Sequence, residues 1–216
     1  MDKLQQVLEL LSLLSGPSLV IIGIIALSQL KIAKTDIRLR SKREAATLAA
    51  SQCQKYFEVV IPLLNELDRE FDRLKLPKYT GSIGDFTGED LATRAPVWLK
   101  NHLIQIREKQ FNIQTLVKAI NSLEAFAVFF TRRVADEEMA FSSVGQTFCN
   151  SIEGLYPLIA MVRQRGKLGH YDNLVALYKL WASRVQRHRL EDEYQSIAAK
   201  LKTVPSANIS AIGTEE

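Results

Sequence analysis

No run of this 216-residue chain alternates apolar and polar residues long enough to make a convincing strand, and glycine and proline are sparse. An all-β or mixed fold is therefore excluded, and Ala-rich, aliphatic and Glu/Lys/Arg/Gln-rich stretches leave a helical chain. Cysteine is nearly absent. Cys53 and Cys149 stand far apart with no close Cys or His partner, so neither a zinc site nor a disulfide framework is expected; they read as buried, reduced thiols of a cytosolic domain. Nucleophile elbow, dinucleotide loop and phosphate loop are missing too. Gly81, Gly84 and Gly88 follow no strand and precede no Gly-Lys-Ser/Thr, so they form a connector and not a phosphate cradle. Neither a cofactor nor a metal is expected. The net charge of +4 is gathered just behind the apolar start of the chain and is not spread as a stripe. That favours a membrane surface over nucleic acid as the partner of the positive charge.

What is present begins with an uncharged stretch from Leu10 to Leu30, whose 21 positions span roughly 31 Å as a helix, the thickness of a bilayer core. Gly16 and Pro17 divide it. A second reading therefore has Leu4, Val7, Leu8, Leu11 and Leu14 on a short interfacial helix, with Pro17 opening the span and Lys31 snorkelling at its end. Lys31, Lys34, Arg38, Arg40, Lys42 and Arg43 follow the span as a basic collar against Asp36 alone, whereas Lys3 is the only basic side chain before it. The positive-inside rule then puts the rest of the chain in the cytoplasm. A cleaved signal peptide, with Ala26 and Ser28 before the cut, is opposed by Asp2 and Glu9 near the start and by the basic run directly behind the span. A buried soluble helix is opposed by Val20 to Leu27, apolar on every side.

Past the collar, Ala46, Ala50, Cys53, Phe57, Val60, Leu64, Leu67, Phe71 and Leu74 recur at spacings of four and three, one stripe of a long helix kinked at Pro62. The stripe packs on the chain's own later helices or, alternatively, on a second copy as a parallel coiled coil. Residues 77–88 read as a loop closed by a Thr87/Asp90 cap. A helix begun or kinked at Pro96 carries Trp98 and a lone His102, read as a packed core residue. Ile113, Leu116, Val117, Ile120, Ala127 and Val134 define the inner face of the next helix, and Asp136, Glu137 and Glu138 open another at its dipole-favoured end. Phe141, Val144, Phe148, Ile152, Leu155, Ile159 and Val162 face inward from that one. After a turn at Gly166 and Gly169, Leu174, Leu177, Tyr178, Trp181 and Val185 mark a last amphipathic helix, and residues 203–216 read as a disordered tail. The expected fold is all-α: an N-terminal anchor over residues 1–33, the collar and long helix over 34–76, and an antiparallel helical bundle over 89–202.

Glu124 falls in the middle of an apolar face, where an unpaired carboxylate is costly. Arg163 is similarly placed on its own helix, but an Arg163 partner would lie roughly 25 Å too far along a hairpin. Arg184 or Arg187 is therefore the expected partner of Glu124, with Asn121 sharing the network and Arg163 reaching Tyr171 or Asp172. Asn121, Glu124, Arg163, Tyr171 and Arg184 are thus the candidate buried polar cluster. It either fixes helix register or serves as a ligand or catalytic site.

Asn121, Leu123-Glu124, Asp136-Glu137, Leu155-Tyr156-Pro157-Leu158-Ile159, Arg163, Tyr171, Leu174 and Trp181 resemble, in order and spacing, a bacterial family catalogued only as a domain of unknown function. The resemblance covers Phe111 to Trp181. It implies an N-terminal membrane helix, common in such proteins, and no catalytic residue. The expected function is a membrane-tethered, non-enzymatic helical module at the bacterial inner membrane, binding another protein or assembling with itself. Arg165 and His170, separated by four residues, resemble the pair of small helical RNA-cutting domains and define the alternative, a ribonuclease-like effector of a stress or phage-defence system. Lipid sensing through the basic collar is a third possibility.

Overall fold

The computed structural model describes residues 2–76, 78–94, 111–165 and 169–203, and within them every regular element is a helix. Trp98 and His102 lie outside the described residues, as do the turn residues 166–168 and the segment from residue 204 onward. Helix α1, Asp2–Lys55, continues through a π turn, Tyr56–Val60, into α2, Ile61–Leu74. The backbone is helical through Gly16 and Pro17, so the division expected there does not form. The N-terminal span itself falls largely on residues 7–21, whose side chains lie outside the described residues.

The π turn has a local cause. Pro62 brings no N–H, and its ring crowds the carbonyl four residues back, that of Glu58. Widening the preceding turn by one residue, so that the Ile61 N–H donates to the Tyr56 carbonyl, removes the crowding. The extra residue also corrects the expected stripe. Ala49, Cys53 and Tyr56 face inward ahead of Val60, while Ala50 and Phe57 turn to the surface, Phe57 with 53% of its area exposed. Beyond Val60 the expected positions Leu64, Leu67, Phe71 and Leu74 are all buried.

Helix α2 ends on Lys75 in the left-handed region (φ 53°), with the Leu76 N–H donating back to the Phe71 carbonyl at 2.8 Å. The loop that follows is held by two aromatic anchors, Tyr79 and Phe86. Phe86 adopts a positive φ of 59° while losing all of its exposed area. Its ring packs edge-on against Tyr156 and Tyr178, and that burial offsets the backbone strain. Thr87 then caps α3, Gly88–Arg94: its hydroxyl accepts from the Asp90 N–H and donates to the Asp90 carboxylate.

Helix α4, Ile113–Thr131, is capped by the Asn112 side chain, which accepts from the Thr115 N–H. Among the described residues it is the helix long and apolar enough, by length and composition, to cross a membrane. Its apolar side is already used: Leu116, Ile120, Leu123, Phe126, Ala127 and Phe130 are buried inside the protein. The expected inner-face residues Ile113 and Val134 are instead exposed, because they sit at the two ends where no described helix covers them. Helices α5, Glu137–Arg165, and α6, Asp172–Thr203, complete the bundle.

Contacts fix the directions. The Asp136 N–H donates to the Ala45 carbonyl at 3.0 Å, where α1 enters the bundle beside the start of α5. α6 runs back along α5, from Arg163–Asp172 at one end to Arg184–Glu137 at the other. α4 runs opposite to α1 and α2, with Thr115 bonded to Glu66 and Phe126 against Tyr56. Trp181 is the centre, fully buried among Phe126, Phe130, Phe141 and Phe148.

Candidate functional site

Two polar constellations tie α6 to α4 and α5. The first is a clamp on the start of α6. Glu124, projecting from the middle of α4, accepts from the Leu174 N–H at 2.7 Å, the Asn173 N–H at 3.3 Å and the Asn173 side-chain amide at 2.7 Å. The first N–H groups of a helix have no partner within it and carry the positive end of its dipole, so a carboxylate there satisfies both at once. The Asn173 amide oxygen in turn accepts from Thr131, and Tyr171 donates to the Asn121 side chain at 2.9 Å. Arg163 closes the far side, donating to the His170 carbonyl and pairing with Asp172 at 3.1 Å. The turn so held contains Gly169 (φ 107°) and Tyr171 (φ 61°), two residues in the left-handed region that these bonds keep in place.

The second constellation sits at the other end of α5. Glu137, its first residue, accepts from the Trp181 indole N–H and from Arg184 at 2.7 and 3.0 Å. Arg184 also pairs with Glu138 at 2.8 Å and lies 3.8 Å over the Phe141 ring. The sequence pattern gave Glu137 no role beyond favouring the helix dipole. The signal that could have found its partner was the presence of Asp136-Glu137 and Trp181 in one family pattern.

The expected single cluster is thus divided. Asn121, Glu124, Arg163 and Tyr171 gather around the start of α6, but Arg184 belongs with Glu137 and does not meet Glu124. The reason is where α6 begins: its first turn lies against Glu124, so Arg184, about three turns on, reaches the start of α5. The cluster is also shallower than expected. Asn121 is exposed, and Glu124, Arg163, Tyr171 and Arg184 are half-buried. His170 has an exposed side chain and contributes its carbonyl to the clamp; the Arg165 side chain lies outside the described residues. The collar residues Lys31, Lys34, Arg38, Arg40, Lys42 and Arg43 are all exposed along α1, and Arg40 pairs with Asp36 at 2.8 Å.

Both constellations join helices, and the shallow groove beside the second is lined by Glu138, Phe141, Val185 and His188. Their acceptors are taken up by N–H groups of the chain itself, and among the described residues no group of three or more His, Cys, Asp or Glu could hold a metal ion. The nucleophiles are muted by burial. Desolvation pushes the Cys149 thiol up from 9.0 to about 12 and raises Cys53; it also raises Tyr56 and Tyr178, the latter helped by the Glu153 carboxylate. Tyr171 is raised by burial and then by the charge of Glu124.

These shifts have a sign. Each group keeps its proton in the folded state where the unfolded chain has released it, so stability falls as pH rises past the unfolded value. For Cys149 the loss starts near pH 9 and ends near pH 12, at no more than about 1.4 kcal/mol per pH unit. Urea titrations between pH 7 and 11 are expected to show a flat stability up to about pH 9 and a decline above it. Replacing Cys149 with alanine is expected to flatten that decline.

A family model described as a domain of unknown function, DUF4760, matches residues 20–181. It reaches from the exposed part of α1 to Trp181, well beyond the segment whose pattern carried the resemblance. No curated protein matches the chain, and no solved structure does.

Proposed function

This chain belongs to the DUF4760 family, and from that premise we propose that it is a membrane-anchored, non-enzymatic helical module that presents its bundle at the cytoplasmic face of a bacterial inner membrane. One observation carries the reading. Along α1, Ile22, Ile24, Ile25 and Leu27 are each between 50% and 68% exposed, with no other described element covering them. They point to all sides of the helix, so no single partner groove could cover them, whereas hydrocarbon covers every side equally. The basic collar begins at Lys31, where such a helix would leave the bilayer, and each Lys or Arg close to anionic headgroups contributes about 1 kcal/mol.

The interaction role rests on the same geometry. The polar residues of the bundle hold helices to one another, and Cys53, Cys149, Tyr56 and Tyr178 are buried inside it, so what the domain offers is surface. Reduced, buried Cys53 and Cys149 suit a cytosolic compartment.

Alkaline carbonate extraction of membranes carrying the full-length chain tests the anchor. The protein is expected to stay in the pellet, and a C-terminal tag is expected to resist protease added outside spheroplasts. Recovery in the supernatant, or digestion of the tag in intact spheroplasts, would reject the anchor or its orientation respectively.

A further inference from the structure

From the membrane reading above, and resting on it, we propose that the free end of α6 is a docking surface for a second copy of this chain, which it grips along the juxtamembrane part of α1. Beyond His188, which still stacks on Phe141 of α5, α6 leaves the bundle and runs on to Thr203 exposed at every position except Ala198. Leu190, Tyr194, Ile197 and Leu201 stand 49–74% exposed on this stretch. Their spacing of four, three and four places them on one stripe, and at about 100° per residue that stripe faces away from the buried side of Trp181 and Val185. An apolar stripe of this kind is a seam without its partner.

The partner is identified by height and charge. α1 enters the bundle and α6 leaves it at the same end, tied there by the Asp136–Ala45 and Glu137–Arg184 contacts. Counting outward from those ties at equal rise brings Leu201 level with Ser28, Ile197 with Ile32 and Tyr194 with Thr35, so that Leu30, Ala33 and Ile37 lie within about half a turn of the α6 stripe. The same count sets Glu191 level with Arg38 and leaves Glu193 within about a turn of Arg38 and Arg40, acids that flank the α6 stripe against bases of the collar. The chain's own α1 is not the cover, since Leu30 and Ile37 remain 66% exposed, Tyr194 74% and Leu201 68%. Copies inserted in one orientation share the same heights above the membrane. α6 of one copy can therefore lie antiparallel along α1 of its neighbour with apolar facing apolar and acid facing base.

Disulfide trapping in native membranes tests this. Two differently tagged full-length chains, one Ile37→Cys and the other Tyr194→Cys, are co-expressed and oxidised in untreated membranes, and carbonate extraction is run on a separate portion of the same membranes. Cys53 and Cys149 are buried and do not compete. An inter-chain product is expected for this pair and not for Ile37→Cys with Leu180→Cys, which lies on the bundle part of α6. Arg38→Glu with Arg40→Glu in the first chain is expected to lower the yield by roughly threefold per pair. Glu191→Arg with Glu193→Arg in the other chain is expected to restore it. Retention in the membrane without an inter-chain product would overturn the contact alone, and so would a cross-link closed within one chain carrying both cysteines. A product indifferent to the charge reversals would overturn this pairing, and release by carbonate would overturn the contact together with the anchor.

Discussion

Replacing Trp181 with alanine is expected to lower the unfolding free energy by about 3–5 kcal/mol, the loss typical of a large buried aromatic. The ring is fully buried and touches four phenylalanines from two helices, so its removal opens a cavity at the point where α4, α5 and α6 meet. A second loss comes from Glu137, which keeps Arg184 but no longer receives the indole N–H. Trp181→Phe separates the two effects: most of the ring contact survives and the hydrogen bond does not, so a cost of about 1–2 kcal/mol is expected. Urea unfolding of the detergent-solubilised full chain, followed by far-UV circular dichroism, reads both variants. A Trp181→Ala midpoint equal to that of Trp181→Phe would mean that the core does not close around this ring.

Glu124→Ala is expected to cost about 2–4 kcal/mol, because it leaves the Leu174 and Asn173 N–H groups without their acceptor and takes a carboxylate from the positive end of a helix. The Asn173 side-chain amide loses its acceptor as well. Glu124→Gln retains one acceptor oxygen but turns a donor toward Asn173, so an intermediate loss of about 1–2 kcal/mol is expected. The damage is local in origin. Amide hydrogen exchange is therefore expected to accelerate first at Asn173 and Leu174, while the turns around Trp181 stay protected. Uniform acceleration along α6 would show that Glu124 supports the whole helix and not its first turn.

The contrast between these two residues shows how far the sequence could be read. Trp181 was legible as core from its spacing with Leu174, Leu177 and Tyr178, because a helix repeats its buried side every three or four residues. Glu124 was legible as an anomaly, since a carboxylate among apolar neighbours must find partners. Which partners it found was not. The expected cation, Arg184, is held at the start of α5, and backbone N–H groups serve in its place. Every residue carries such a group, so no side-chain pattern marks the ones left unpaired at a helix start. Tyr56 for Phe57 has a similar explanation: the period was right, but the π turn before Pro62 changed its phase.

The all-helical class was determined by the sequence alone, as were most inward faces, the Thr87–Asp90 cap and the uncharged stretch followed by six basic residues. Periodicity, capping and charge density act over a few neighbouring residues and need no knowledge of what lies across the core. The tertiary structure decided that Glu124 caps α6, that Glu137 joins Trp181 to Arg184, and that the end of α6 leaves the bundle level with the collar. Those outcomes depend on where helices distant in the chain come to rest against one another, and that is fixed only when the whole core closes.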